Sequence, residues 1–312
     1  MDAVAHPPGE PRDIERAAEP GPWRVVKGIA AIITPLTLIT ALMFYFGLIH
    51  AYWFFGGFGV DYSVFELSPE DYILRSADGL LFPFSIASLA VLFVAWLFQL
   101  LAPQLSQESI HRIVQVAAPV FSLLGLALTT VAGVAFVRPT WFLDRPSLGG
   151  LALVFGVLLL EGAIASMRRL GVRSDRPPRR RSASWAVTEW TAVIMLISVG
   201  LFWAVGDWSA RVGSQRAEDV VRALPTWPSV VVYSERSLSL GGEGVTETAC
   251  SDAEGAFGYR YDGLTLITQE GGQLLLLPRA WTATDGTAIV LTKTDSLRLE
   301  FSLTTTEPAP KC

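Results

Sequence analysis

Five apolar stretches, each close to the roughly 20 residues that a helix needs to cross a hydrocarbon core about 30 Å thick, limit what this chain can fold into. They cover approximately residues 25–45, 80–101, 113–137, 148–167 and 187–208. In lipid the backbone polar groups must be satisfied within the segment, so runs of this length are helices. Composition agrees, with 51% hydrophobic and 17% charged residues against roughly a quarter charged in an ordinary soluble domain. The expected fold class is a membrane all-α bundle of five transmembrane helices followed by a small α+β, mostly β, extracytoplasmic domain. The domain plan is a disordered tail over 1–22, the membrane region over 23–208 and the extracytoplasmic domain over 209–312.

Orientation follows from where the arginines fall. Arg168, Arg169, Arg173, Arg176, Arg179, Arg180 and Arg181 crowd the loop between the fourth and fifth stretches, and dense Lys/Arg loops stay on the cytoplasmic side during insertion. The first loop carries only Arg75 against Asp61, Glu66, Glu70, Asp71 and Asp78, whereas Arg12, Arg16, Arg24 and Lys27 precede or open the first span. Trp23 and Trp185 stand at inner ends, and Tyr52, Trp53, Trp141 and Trp208 at outer ends, as interfacial belts require. The N-terminus is therefore expected in the cytoplasm and the C-terminal hundred residues outside it. The first 22 residues lack hydrophobic periodicity and read as a disordered cytoplasmic tail. They lack the positive start of a signal peptide.

Local signals refine the plan. Pro35 is placed to kink the first helix, whereas Pro83 and Pro119 lie near span starts, where proline is tolerated. Gly125, Thr129 and Gly133 form a small-residue stripe suited to close helix contact, read first as packing within the chain, with homo-oligomerisation left open. Ser68, Pro69 and Asp71 spell a helix start with a capping box. A short helix is expected there, lying on the membrane surface through Tyr72, Ile73 and Leu74 until Gly79 turns the chain inward. Beyond Trp208, Ser214 to Leu224 reads as a separate amphipathic helix ended by Pro225. Strands are expected at Ser229–Tyr233, Tyr259–Thr268, Gln273–Leu277, Ala288–Thr292 and Leu297–Leu303, with turns at Gly271-Gly272 and Asp285-Gly286. A domain of about a hundred residues is large enough for a core of its own. The end of the chain, from Thr304, reads as loose.

Chemistry is sparse. Two cysteines and three histidines are too few and too scattered for the usual zinc sites, and no cofactor is expected. Residues 209–312 contain no histidine, which removes a Ser-His-Asp arrangement there. The sequence has no nucleotide or metallopeptidase signature, and the separation of its charges leaves no nucleic-acid footprint. His50 reads as a wet polar tip at a helix end. Glu161 is a candidate intramembrane functional carboxylate because a charge at that depth is expensive, with pairing to Arg168 seven residues on, or snorkelling to the inner end, as the plainer account. Acidic residues of the first loop read as helix caps rather than a cation site. Cys250 and Cys312 both fall on the oxidising side and are a candidate disulfide closing about sixty residues, its formation left open.

Several strings look like those of a known group. The stretches from Val230 through Leu238, from Gly244 through Thr248, from Tyr259 through Leu264, Leu274 through Pro278 and Leu297 through Phe301 resemble five-span actinobacterial membrane proteins with a small extracytoplasmic C-terminal domain. So does the first loop, from Phe58 through Asp61 and from Leu67 to Ser76. The resemblance implies an actinobacterial cell membrane and lends no catalytic residue. The expected function is a non-enzymatic envelope protein, held in the lipid bilayer, that presents a domain for binding or sensing an envelope protein or cell-surface ligand. The alternative is a transporter or channel component using Glu161 and the acidic first loop.

Overall fold

The computed structural model of the chain describes residues 22–101, 107–138, 140, 147–171, 183–251 and 255–302. The N-terminal tail, Arg173, Arg176, Arg179, Arg180, Arg181 and Cys312 lie outside the described residues. Among the described residues, five helices are long and apolar enough to cross a membrane: α1 (Pro22–Gly56), α2 (Pro69–Leu101), α3 (Gln107–Val137), α4 (Leu148–Gly171) and α5 (Ala183–Ala223). An antiparallel sheet follows, so the protein is a multi-pass membrane protein with a C-terminal β region. The chain divides into two compact units, 1–40 and 41–312. In the first, Thr40 Oγ1 donates back to the Leu36 carbonyl at 3.0 Å, one turn earlier on α1. The second holds the rest of α1, the other four helices and the sheet.

The helices run past the expected spans, α1 as far as Gly56, and two of them absorb elements expected to be separate. The surface helix expected from Ser68 to Gly79 is instead the beginning of α2, which continues unbroken into its apolar segment. Its start is as anticipated: the Ser68 backbone N–H donates to Asp71 Oδ2 at 2.9 Å, and the Asp71 N–H returns to Ser68 Oγ at 3.3 Å. Gly79 does not turn the chain, because its missing side chain admits the ring of Phe46, and a Cβ there would lie 2.1 Å from Phe46 Cζ. Pro83 and Pro119 do lie near the starts of the apolar spans, at Gly79 and Gln115, but with α2 beginning at Pro69 and α3 at Gln107 both fall in helix interiors. Likewise the amphipathic helix expected from Ser214 is the continuation of α5, since Ala, Arg, Gln and Glu sustain the helix and no proline intervenes before Pro225. At 41 residues α5 is about 60 Å long, roughly twice the hydrocarbon thickness.

Small residues set how closely the helices approach. On α3, Gly125 and Thr129 pack against Gly156 and Leu160 of α4, which assigns that part of the stripe to contact within the chain, while a Cβ on Gly133 would meet nothing within 4 Å. Gly150 of α4 faces the α5 backbone, where a Cβ would lie 2.4 Å from the Ala204 nitrogen. At the end nearer the sheet, Gly47 of α1 backs onto the Tyr72 carbonyl of α2, and Gly213 of α5 backs onto the His50 carbonyl of α1. Ser209 Oγ donates to the Phe46 carbonyl at 2.6 Å and Trp208 Nε1 to the Gly79 carbonyl at 3.1 Å. These contacts bind α1, α2 and α5 into a stem.

The sheet contains β1 (Ser229–Ser234), β2 (Thr246–Ala249), β3 (Tyr259–Glu270), β4 (Gln273–Pro278), β5 (Ile289–Thr292) and β6 (Leu297–Ser302). Its order is β5-β4-β3-β1-β6, with β2 beside the first half of β3. The short exposed β2 has no hydrophobic alternation and so gave no strand signal. One face is closed by the loop after β1, whose Leu238, Leu240 and Val245 cover Val230, Val232, Tyr261 and Leu264. The other face does not close on itself. Leu275, Leu277 and Trp281 share a core with Ala51, Phe55, Phe58, Phe65, Ala217 and Leu224 from the helices and the first connection. The region thus has the small core of its own that was expected, on the first face, but its second face shares a core with the helix ends.

Candidate functional site

The junction between stem and sheet is where charge, aromatic surface and a cavity coincide. The first connection, short and acidic, is spent on structure: Asp61 Oδ1 accepts the Ser63 N–H at 2.8 Å and caps a 3-10 turn over Tyr62–Phe65. Hydrogen bonds from Ser63 hold the Asp61 carboxyl below its ordinary range. Those from the Ser68 backbone and hydroxyl do the same for Asp71. These two acids of the first loop are thus caps. Phe65 at the end of the turn is fully buried and stacks on Phe55, ring centroids 4.2 Å apart.

The β3–β4 hairpin locks onto this connection. Its two-residue turn, Gly271-Gly272, has φ of 55° and 75°, which favours glycine at both places. A Cβ on Gly271 would also lie 1.9 Å from the Phe65 carbonyl oxygen, so the contact itself excludes any other residue. Beside it, Arg75 of α2 pairs with Glu270 of the hairpin, their side chains only 16% and 22% exposed. Thr268 Oγ1 donates to the same carboxylate at 3.0 Å. The Arg75 guanidinium lies over Phe55 and Phe54, 5.1 and 5.7 Å from their centroids. Arg75, the lone basic residue of an acidic loop, was visible in the sequence. Its partner, 195 positions away, was not.

A cleft of about 540 Å³ opens beside this pair. Phe54, Val220, Ala223 and Trp227 give it apolar walls, and Arg75, Arg216 and Asp219 give it charge. The α5 residues at 216, 219, 220 and 223 recur at helical spacing and so share one face. His50 lines the cleft as well. The wet tip expected of this residue is not found: His50 is 6% exposed, stacked between Phe46 and Phe54 at successive turns of α1, with centroids 6.1 and 6.0 Å away. The stem glycines draw α5 over it.

The remaining candidates stand apart from the junction. Glu161 is half-buried inside α4. The pairing expected with Arg168 does not form, because Arg168 instead bonds Glu189 of α5, which reaches it across the helix pair. Cys250 at the end of β2 is disulfide-bonded. Among the described residues, no group of three or more His, Cys, Asp or Glu side chains is placed to hold a metal ion. No family model matches the chain, and neither a curated protein nor a solved structure is found similar to it.

Proposed function

We propose that this protein is a non-enzymatic component of the cell envelope, with its N-terminus in the cytoplasm and its sheet outside, and that the sheet and its junction form a binding or sensing module. One observation carries the reading: the second face of the sheet is closed by the ends of α1 and α5 and by the first connection, so a ligand that moves the sheet must also move helices. A purely tethered domain would lack that coupling. The loop arginines support the orientation, and the resemblance to actinobacterial five-span proteins supports an envelope location. Cys250 and Cys312 would then lie in a compartment where disulfides persist.

The test is made in intact cells. An impermeant thiol reagent is expected to label cysteines introduced at Ser63 and Ser239 and to spare one at Ser174. A photo-crosslinker at Ser239, exposed in the loop after β1, is expected to capture a partner that is lost when residues 227–312 are removed and kept in Glu161→Gln. Transport is the second reading, favoured by the half-buried Glu161 inside α4. Ion flux in proteoliposomes that Glu161→Gln abolishes, with a harmless sheet deletion, replaces the binding reading by that one.

A further inference from the structure

We propose that the cleft between the stem and Trp227 binds the phosphate headgroup of an anionic membrane lipid, with Arg75 and Arg216 at its rim and Phe54, Val220 and Trp227 along its wall. This rests on the reading of the junction as a binding site. Size comes first: about 540 Å³ falls inside the roughly 300–1,000 Å³ of small-molecule sites. The walls are mostly apolar, which suits an amphiphile better than a bare inorganic ion.

Charge gives the sign of the ligand. Two guanidinium groups, on Arg75 and Arg216, and one carboxylate, on Asp219, line the cleft, and Glu270 pairs with Arg75 beside it. Arg222 bonds Asp219 on the same helix, so the acid at the rim is already engaged by a cation. Arg75 offers one nitrogen to Glu270, and a guanidinium carries five N–H donors in a planar fork suited to phosphate. Its face is held by Phe54 and Phe55, so the fork is presented in a fixed plane.

Depth gives the source. The apolar segment of α1 runs from Leu36 to Gly56, and His50 and Phe54 occupy its last two turns. At 1.5 Å per residue His50 lies about 9 Å and Phe54 about 3 Å inside that end, so the cleft reaches up to the level where hydrocarbon gives way to headgroups. Leu74, beside Arg75 on α2, is 72% exposed, so apolar surface continues past the rim. A lipid can place its phosphate at the arginines while its chains stay against α2.

Native mass spectrometry of the full-length protein, delipidated in detergent and titrated with phosphatidylglycerol or phosphatidylcholine, tests this. Wild type is expected to retain phosphatidylglycerol selectively. Arg216→Gln is expected to bind it about tenfold or more weakly, as loss of a hydrogen bond to a charged group implies, and Val220→Trp, which fills the cleft, to do likewise. Arg298→Gln, on β6 away from the cleft, is expected to bind as wild type. Two substitutions by different means keep the test valid should one of them misfold. Equal retention in every variant, or equal retention of both lipids, would mean annular lipid only and overturn the proposal. Inorganic phosphate alone raising the unfolding temperature of wild type but not of Arg216→Gln would assign the cleft to a soluble anion and overturn the lipid source. A protein partner captured equally by wild type and Arg216→Gln, with lipid lost only from the variant, separates this proposal from the module reading above.

Discussion

The two faces of the sheet are closed by different means. On one, the loop after β1 folds back on its own strands, and the Leu238 N–H donates to the Tyr261 hydroxyl at 2.6 Å to fix it there. On the other, Leu275 and Leu277 of β4 are fully buried, and the residues that cover them include Ala51, Phe55 and Phe65, more than two hundred positions away. The first face needs only residues of the sheet region. The second needs the stem. The β region is thus half of a structure whose other half is the helix ends, which is the arrangement required if binding at one is to be felt at the other.

Separating the two halves challenges this contrast most severely. Residues 214–303 expressed alone in an oxidising compartment expose Leu275, Leu277 and Trp281 together, a contiguous apolar face. They are expected to lack a cooperative urea transition and to bind a hydrophobic dye. A sharp transition at wild-type stability would show that the shared face is dispensable.

A gentler perturbation removes one ring. Phe65→Ala takes a fully buried side chain from between Phe55 and the hairpin, at an expected cost of about 3–5 kcal/mol. Protection from hydrogen exchange should fall on both sides of the junction, in β4 and at the end of α1. Leu240→Ala, on the self-closed face, is expected to cost less because Leu240 is only partly buried, and to lower protection in the sheet alone. Matching exchange patterns in the two variants would erase the distinction between the faces.

The junction also holds one ion pair whose worth can be measured. Arg75→Met keeps most of the apolar stem over Phe54 and Phe55 but leaves Glu270 without its cation. Its cost is expected between the roughly 1 kcal/mol of an exposed pair and the about 3–5 of a buried one. Arg75→Met with Glu270→Gln should recover most of the loss, because a neutral side chain no longer needs a counter-charge. Thermal unfolding of the two variants decides, and equal losses in both would show that packing by the arginine matters more than its charge.

Much of the helical plan was legible in the sequence, since a bilayer permits little besides apolar helices of fixed length. The helix start at Ser68 and the hairpin at Gly271-Gly272 were legible too, because caps and tight turns are local chemistry. Past the apolar segments that logic failed. A change in hydropathy at Trp208 looked like the end of a helix, whereas α5 runs unbroken through it to Ala223. His50 looked wet because polarity was judged along the chain, and its burial comes from Gly213 on a helix more than 150 positions later. Arg75 and Glu270 each carry an ordinary charge. Only the fold pairs them, and that pairing belongs to no local pattern.

The mildest change lies at the capping box that starts α2 and so holds Arg75 in place. Ser68→Ala removes the hydroxyl that accepts the Asp71 N–H, at about 1 kcal/mol for an N-cap of this type. The acid side of the same box gives a pH signature. The Ser68 backbone N–H and then its hydroxyl hold the Asp71 carboxyl below its ordinary value, so the unfolded chain takes up the proton first as pH falls. The stability contributed by Asp71 is therefore fully present above about pH 4, the ordinary carboxylate range, and is lost as pH falls through the lower folded value. Asp71→Asn should flatten that part of the acid limb, measured as the change in unfolding temperature between pH 5 and pH 3. If the box matters only to α2, exchange will rise at Ser68 to Tyr72 and nowhere else. If it also seats Arg75 against Glu270, the hairpin at Gly271 will loosen with it, and the shared face will begin to open from the helix side.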